Sequence, residues 1–182
     1  MKILFSAARI RRRLDRLAEE IAHHVSNREL IIVAILKGSY VFLADLSRSL
    51  ARQDIHVIVD FLGISSYGSG TTSSGKVRIR HDLSIPLKGK PVLLLDDILD
   101  TGLTLRHATD LLRRRGAHNI RTCVLLDKPA RRRIPIEADH VGFTVADTFV
   151  VGYGLDYNNR YRHLPHIAEL RAGSKPAVRT GT

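Results

Sequence analysis

A single cysteine, Cys123, means that no disulfide can form within this chain of 182 residues, and it points to a reducing compartment. Long apolar runs are missing as well: none approaches the roughly 18 residues that a membrane-spanning helix needs. Residues 1–5 are too short for the apolar centre of a secretion signal. The arginine-rich stretch that follows carries Asp15, Glu19 and Glu20, which transit peptides avoid. The expected location is therefore the cytoplasm, with no membrane partner. No internal repeat and no second-domain boundary is visible. Acidic residues are also scarce, 18 against 29 lysines and arginines, for a net charge of +11. Such a balance suits nucleic acid, an anionic membrane surface or a polyanionic small substrate. Its sources are local: residues 11–13, 113–115 and 131–133 are all arginine. The first run lies on an amphipathic helix and the second in the last turn of a helix before Gly116, where cations meet the negative dipole end. Most of these arginines are expected on solvated faces, and nucleic acid is not the expected partner.

What is present is a globular pattern, 44% hydrophobic and 26% charged. The length fits one domain, residues 1–172, with a basic tail over 173–182 expected to be disordered. Ser6 can cap a helix whose apolar stripe is Ile10, Leu14, Leu17, Ala18, Ile21, Ala22 and Val25. Residues 30–36 read as a buried strand, Leu43, Leu46 and Leu50 as a helix face, and 54–61 as another strand. Residues 62–75, where Gly68, Gly70 and Gly75 alternate with serine and threonine, read as a long loop able to act as a lid. Residues 76–80 alternate charged and apolar, as a half-exposed strand does. Further on, 91–95 and 120–126 are buried strands around a helix marked by Leu105, Ala108, Leu111 and Leu112. Strand alternating with helix predicts an α/β fold with a doubly wound parallel sheet.

The chemistry concentrates where strands end. After the run 91–95 come Asp96 and Asp97, then a turn of Asp100, Thr101 and Gly102, then a helix start. The turn offers backbone N–H groups and the hydroxyls of Thr101 and Thr104 to an anion at a positive helix end. The acidic pair offers acceptors to sugar hydroxyls or to a hydrated Mg²⁺. This is not a Walker-type loop, since no lysine follows the glycine and the spacing differs. A second candidate, Lys37, Gly38 and Ser39, follows the strand 30–36. Its glycine allows close backbone approach, and its N–H groups can form an anion nest. Both motifs can open on one crevice.

Residues 94–104, with Asp96, Asp97, Asp100, Thr101, Gly102, Leu103 and Thr104, resemble the phosphoribosyl-pyrophosphate-binding signature of type I phosphoribosyltransferases. Together with Lys37, Gly38 and Ser39, Ser66 and Tyr67, Lys128, and residues 149–158, nearly the whole chain is similar to the hypoxanthine-guanine phosphoribosyltransferase family of purine salvage. The resemblance implies that family's fold, a mainly parallel central sheet flanked by helices, with a small hood and a flexible lid loop. It implies transfer of ribose 5-phosphate from phosphoribosyl pyrophosphate to hypoxanthine or guanine, giving IMP or GMP and pyrophosphate, with Mg²⁺ and in a homodimer or homotetramer. The alternatives are an RNA-binding regulator on the same fold, or the same chemistry on another base such as xanthine.

Carried onto these residues, the resemblance assigns the 5-phosphate to Asp100, Thr101, Gly102, Leu103 and Thr104, and the ribose hydroxyls to Asp96 and Asp97. Asp100 is the implied acid/base at purine N7. Lys37, Gly38 and Ser39 would cradle pyrophosphate, in this family often with a cis peptide before the lysine. Ser66 and Tyr67 would close over it and Arg162 would reach it. Lys128 would donate to the 6-keto oxygen, Phe149 would stack on the base, and backbone groups of Val150 and Asp156 would meet its 2-position. Asp96, Asp97 and the Asp156 carboxylate are the implied metal-facing groups. The chain departs from the family in two places: Asp96 stands where glutamate is common, and Ser39 where a second glycine is frequent. The latter requires a backbone within non-glycine limits.

Overall fold

The computed structural model of this protein describes residues 1–26, 28–66 and 77–170, and only the backbone of residues 65, 66, 77 and 78. The first half carries β1 (Lys2–Phe5), α1 (Ala7–Ala22), β2 (Glu29–Leu36), α2 (Tyr40–Ala51), β3 (His56–Ser66) and β4 (Val77–His81). The second carries β5 (Pro91–Leu99), α3 (Leu103–Arg114), β6 (His118–Asp127), β7 (His140–Thr144), β8 (Val150–Val151) and β9 (Ile167–Glu169). A single 3-10 turn, Pro129–Arg131, follows β6. The central sheet has the order β4-β3-β2-β5-β6-β7 and is parallel except for β4. A separate antiparallel sheet, β1-β9-β8, is the expected hood.

The runs in β2 and β5 show no alternation because both of their faces are covered. Leu30, Ile32 and Ala34 of β2, with Leu93 and Leu95 of β5, join a core with Leu14 and Leu17 of α1 and Phe42 and Leu46 of α2. The intervening Ile31, Val33 and Ile35, with Val92 and Leu94, join a second core with Leu105, Ala108 and Leu112 of α3. Each fully buried leucine stabilises the fold by roughly 1.5–3 kcal/mol relative to exposure. Helix α1 forms because Ile10, Leu14, Leu17, Ala18 and Ile21 share one buried face, and Ser6 accepts from the Arg9 N–H at 3.3 Å. Among the described residues no helix is long and apolar enough to cross a membrane.

Four expectations change. The strand expected from 54 begins at His56, and Asp54 turns the chain with φ +56°. At its other end β3 runs on to Ser66, because Gly63 to Ser66 pair antiparallel with β4, so part of the expected loop 62–75 is strand. Strand β5 likewise extends through Asp96 and Asp97 to Leu99, held by β6 as far as the Leu99–Asp127 pair. The acidic pair thus lies inside the carboxyl end of the strand, where a ladder partner satisfies its backbone. Arg13, expected on a solvated face, instead donates to the carbonyls of Gly142 (2.9 Å) and Val141 (2.7 Å) and pairs with Glu20 (2.6 Å), tying α1 to β7. Tyr67, most of the expected lid and the tail 173–182 lie outside the described residues.

Candidate active site

Strands β2 and β5 are neighbours, yet the chain leaves β2 for β3 on one side and β5 for β6 on the other. At such a reversal the crossover helices part and leave a crevice at the carboxyl ends of the strands. A cavity of about 370 Å³ opens there. Lys37 and Gly38 from the end of β2, and Asp96, Asp97, Asp100, Thr101, Gly102 and Thr104 from the end of β5, line it together. Asp156 and Arg162, far along the chain, complete its wall.

Local backbone geometry builds each side. Gly102 caps α3 in the left-handed region, φ +88°, with no side-chain cap, and a Cβ there would strike Ile136. The first turn of α3 therefore presents backbone N–H groups to the cavity; among the described residues, of Leu103, Thr104 and Leu105 only Leu103 has a local acceptor, Thr101 Oγ1 at 3.4 Å. Across from it the Leu36-Lys37 peptide is cis, as the resemblance implied. A Cβ on Gly38 would collide with the Asp97 carboxylate, so loop and strand end are in contact. Ser39 keeps φ −76° and ψ −7°, ordinary for a non-glycine residue, and is buried with its hydroxyl donating to the Ile35 carbonyl at 2.5 Å.

The electrostatics are unusual. Burial, together with the charge of Asp97, holds the Asp96 carboxyl well above the usual carboxylate range. Burial also raises Asp97, against the opposing pull of Arg162. Asp96 accepts the Asp97 N–H at 3.0 Å. Asp156 and Arg162 pair with each other at 2.5 Å, and Arg162 also donates to the Gly154 carbonyl at 2.6 Å. Asp100 Oδ1 lies 3.0 Å from Arg131 Nε, yet it is buried and accepts no hydrogen bond among the described residues. Its charge is met by Arg131 while its hydrogen-bonding capacity is not filled.

Lys128, Phe149 and Val150 do not line this cavity, though Lys128 lies near enough to Asp100 to feel its charge. Lys128 follows β6 and is buried; its Nζ donates to the Thr148 carbonyl at 2.6 Å. Burial lowers its pKa, while Asp100 and Asp147 oppose that shift. Phe149 is half exposed and meets Tyr157 edge-on, ring centroids 5.5 Å apart. Val150 is buried in β8. Of the loop residues expected to close the site, Ser66 ends β3 and Tyr67 is not among the described residues.

Residues 131–133 do more than the solvated role expected of them. Arg131 bridges Asp100 and Asp147, the latter at 3.4 Å. Arg132 is largely buried, donates to the carbonyls of Leu99 (2.9 Å) and Asp100 (2.5 Å), and pairs with Asp127. Arg133 N–H donates to the Thr101 carbonyl at 3.0 Å. The only hint in the sequence is that this run directly follows Lys128 and Pro129.

Among the described residues no three Asp, Glu, His or Cys side chains converge closely enough to hold a metal by themselves. The chemistry still fits Mg²⁺, which keeps most of its water and binds through one or two carboxylates plus substrate phosphates. Asp96, Asp97 and Asp156 offer hard oxygens on the same cavity, and the raised carboxyls of the first two would be relieved by a cation.

The phosphoribosyl transferase domain family profile matches residues 2–158. Hypoxanthine-guanine phosphoribosyltransferase of Bacillus subtilis is 43% identical over 177 residues, 97% of this chain and 94% of that protein. The bifunctional protein TilS/HprT of Listeria monocytogenes is 44% identical over 170 residues; the match takes in 93% of this chain but spans about a quarter of that longer protein, 26%. Among solved structures, hypoxanthine phosphoribosyltransferase from Trypanosoma cruzi in complex with the product IMP superposes with a TM-score of 0.89 at 39% identity, covering 96% of each chain.

Proposed function

The chain belongs to the hypoxanthine-guanine phosphoribosyltransferases, within the phosphoribosyl transferase domain family, and we propose that it makes IMP or GMP from phosphoribosyl pyrophosphate and a 6-oxopurine. The observation that carries this reading is the convergence on one crevice of Lys37 and Gly38 with Asp96, Asp97, Asp100 and Thr101. An anion cradle and an acidic pair suited to sugar hydroxyls meet there, and the buried Lys128 lies near Asp100.

In the reaction the bond from ribose C1′ to the pyrophosphate oxygen breaks and the bond from purine N9 to C1′ forms. The purine N7 proton passes to the Asp100 carboxylate, which is ion-paired with Arg131 and whose buried Oδ1 accepts no hydrogen bond among the described residues. The amides of α3 and of Gly102, with Leu103, Thr101 and Thr104, hold the 5-phosphate, and Asp96 and Asp97 orient the ribose. Lys37, Gly38, Ser39 and Arg162 hold the leaving pyrophosphate. Its developing charge is met by fixed dipoles rather than by reorganising water. Mg²⁺, when bound, neutralises pyrophosphate charge beside Asp96, Asp97 and Asp156. Lys128 donates to the 6-keto oxygen, Phe149 stacks on the base, and backbone groups of Val150 and Asp156 meet its 2-position. Ser66 and Tyr67 are proposed to close over pyrophosphate.

The proposal treats residues 1–172 as one domain, supported by the core that joins Phe5 and Ile167 of the hood to Leu14 and Leu46. It extends to a cytoplasmic homodimer or homotetramer, as the family resemblance implies. Spectrophotometric turnover of hypoxanthine and guanine with phosphoribosyl pyrophosphate and Mg²⁺ tests it. Nucleotide and pyrophosphate in equal amounts support the proposal. No turnover of any 6-oxopurine, with salt-sensitive RNA binding instead, favours the regulator.

A further inference from the structure

Two segments far apart in sequence must hold one pyrophosphate: the loop of Lys37 and Gly38, and the stretch that carries Asp156 and Arg162. They meet at Gly154, where a side chain would collide with the Gly38 carbonyl oxygen. Gly152, Tyr153 and Gly154 all adopt left-handed angles, φ +97°, +51° and +98°. A tyrosine keeps such an angle only where its surroundings hold it there. Here the backbone donates from Tyr153 to the Leu164 carbonyl at 2.8 Å and from Gly154 to the Arg162 carbonyl at 3.0 Å. The Tyr153 side chain is buried, and its hydroxyl donates to Asp45 Oδ2 of α2 at 2.6 Å. Asp45 is fixed in turn by Arg48 at 2.7 Å. Helix α2 begins directly after the pyrophosphate loop, so this bond links the helix that carries one half of the cradle to the segment that carries the other. Asp45, Tyr153 and Arg162 also line a second cavity, of about 500 Å³.

We propose that Tyr153 and Asp45 are positioning residues whose hydroxyl–carboxylate bond sets the separation of the Gly38 loop from the Gly154–Arg162 segment. This rests on the transferase reading above. Without the bond, the free enzyme samples arrangements in which the two halves cannot grip one pyrophosphate. Substrate binding must then select the minor competent state, which raises KM, whereas the bound complex reacts as before. Loss of a hydrogen bond to a charged group corresponds to roughly ten- to hundredfold in such an equilibrium.

The test uses Tyr153→Phe, Asp45→Ala, Asp45→Asn and the Tyr153→Phe/Asp45→Ala pair. Tyr153→Phe and Asp45→Ala are each expected to raise KM for phosphoribosyl pyrophosphate about tenfold or more, with kcat within about threefold. Asp45→Asn keeps an acceptor oxygen and is expected to restore most of the affinity. The pair is expected to be no worse than either single change. Unchanged KM in Tyr153→Phe, additive losses in the pair, or equal losses in Asp45→Asn and Asp45→Ala would overturn the proposal. Asp45 is only partly buried, so its variants decide the matter even if Tyr153→Phe does not fold. Hydrogen exchange of residues 37–39 and 152–156 gives a readout that needs no turnover. Faster exchange in Asp45→Ala but not in Asp45→Asn supports the linkage, and equal exchange refutes it, whether or not the unaltered protein proves to be a transferase.

Discussion

Replacing Arg132 with methionine keeps most of the side-chain volume and removes the guanidinium that ties the Leu99 and Asp100 carbonyls to Asp127. Arg132 is 16% exposed and Asp127, its partner, 19%. Two carbonyls, those of Leu99 and Asp100, lose their side-chain donor. Each such bond is worth about 1 kcal/mol net. Orphaning a fully buried carboxylate costs about 3–5 kcal/mol, but here water still reaches both partners, so about 1–2 kcal/mol is the better figure for Asp127. The total, about 3–4 kcal/mol, corresponds to a Tm lower by roughly 10 °C for a chain of this size. Differential scanning calorimetry of Arg132→Met and of Arg132→Met/Asp127→Asn checks it. The second change removes the stranded charge and should recover about 1 kcal/mol. A Tm within about 2 °C of the unaltered protein would refute the reasoning, because Arg132 would then be as solvated as the sequence suggests.

Asp100→Asn is expected to lower kcat by about 10²–10⁴-fold while KM changes little, since the amide cannot accept the N7 proton; near-normal kcat across the pH range would remove the acid/base role. The raised folded-state pKa of Asp96 means that this carboxyl costs stability once pH rises above its unfolded value of 3.8, and that no cost exists below it. Asp96→Asn should therefore raise Tm at about pH 8 and give no gain near pH 4, and Mg²⁺ with pyrophosphate should stabilise the unaltered protein more than the variant; thermal melts with and without the pair check both. Lys128→Ala should lose turnover of 6-oxopurines and discriminate less against adenine, as measured by kcat/KM for the two bases, because the donor to position six is gone.

Much of this site was legible because chemistry and fold share short segments. The runs 30–36 and 91–95 announced strands buried on both faces, and the motifs at their ends were bound to meet if those strands were neighbours, as the pairing of Ala34 with Leu95 shows. The acidic pair sits at the strand's carboxyl end as the pattern predicts, but the strand itself ends at Leu99, because the β6 ladder continues past Leu95, where the unbroken apolar run stops. Long-range contacts were not legible. Arg132 looks like its neighbours in an arginine run, and nothing local tells that its fork reaches Leu99, Asp100 and Asp127. Tyr153 and Asp45 are 108 residues apart, and neither belongs to a pattern that sequence alone could join. The hood escaped in detail for the same reason, since β1 at the start of the chain pairs with β9, Ile167–Glu169.

The most direct test is the ratio of kcat/KM for hypoxanthine to that for adenine, measured with the unaltered protein at saturating phosphoribosyl pyrophosphate and Mg²⁺. Lys128 offers donors and no acceptor, so it matches a 6-keto oxygen and leaves an adenine amino group without a partner at a buried site. Sites built around one such group reject the wrong partner by roughly 10⁴–10⁵-fold, and a ratio of that order is expected. A ratio near one would contradict both the role of Lys128 and the assignment of this crevice to 6-oxopurine transfer.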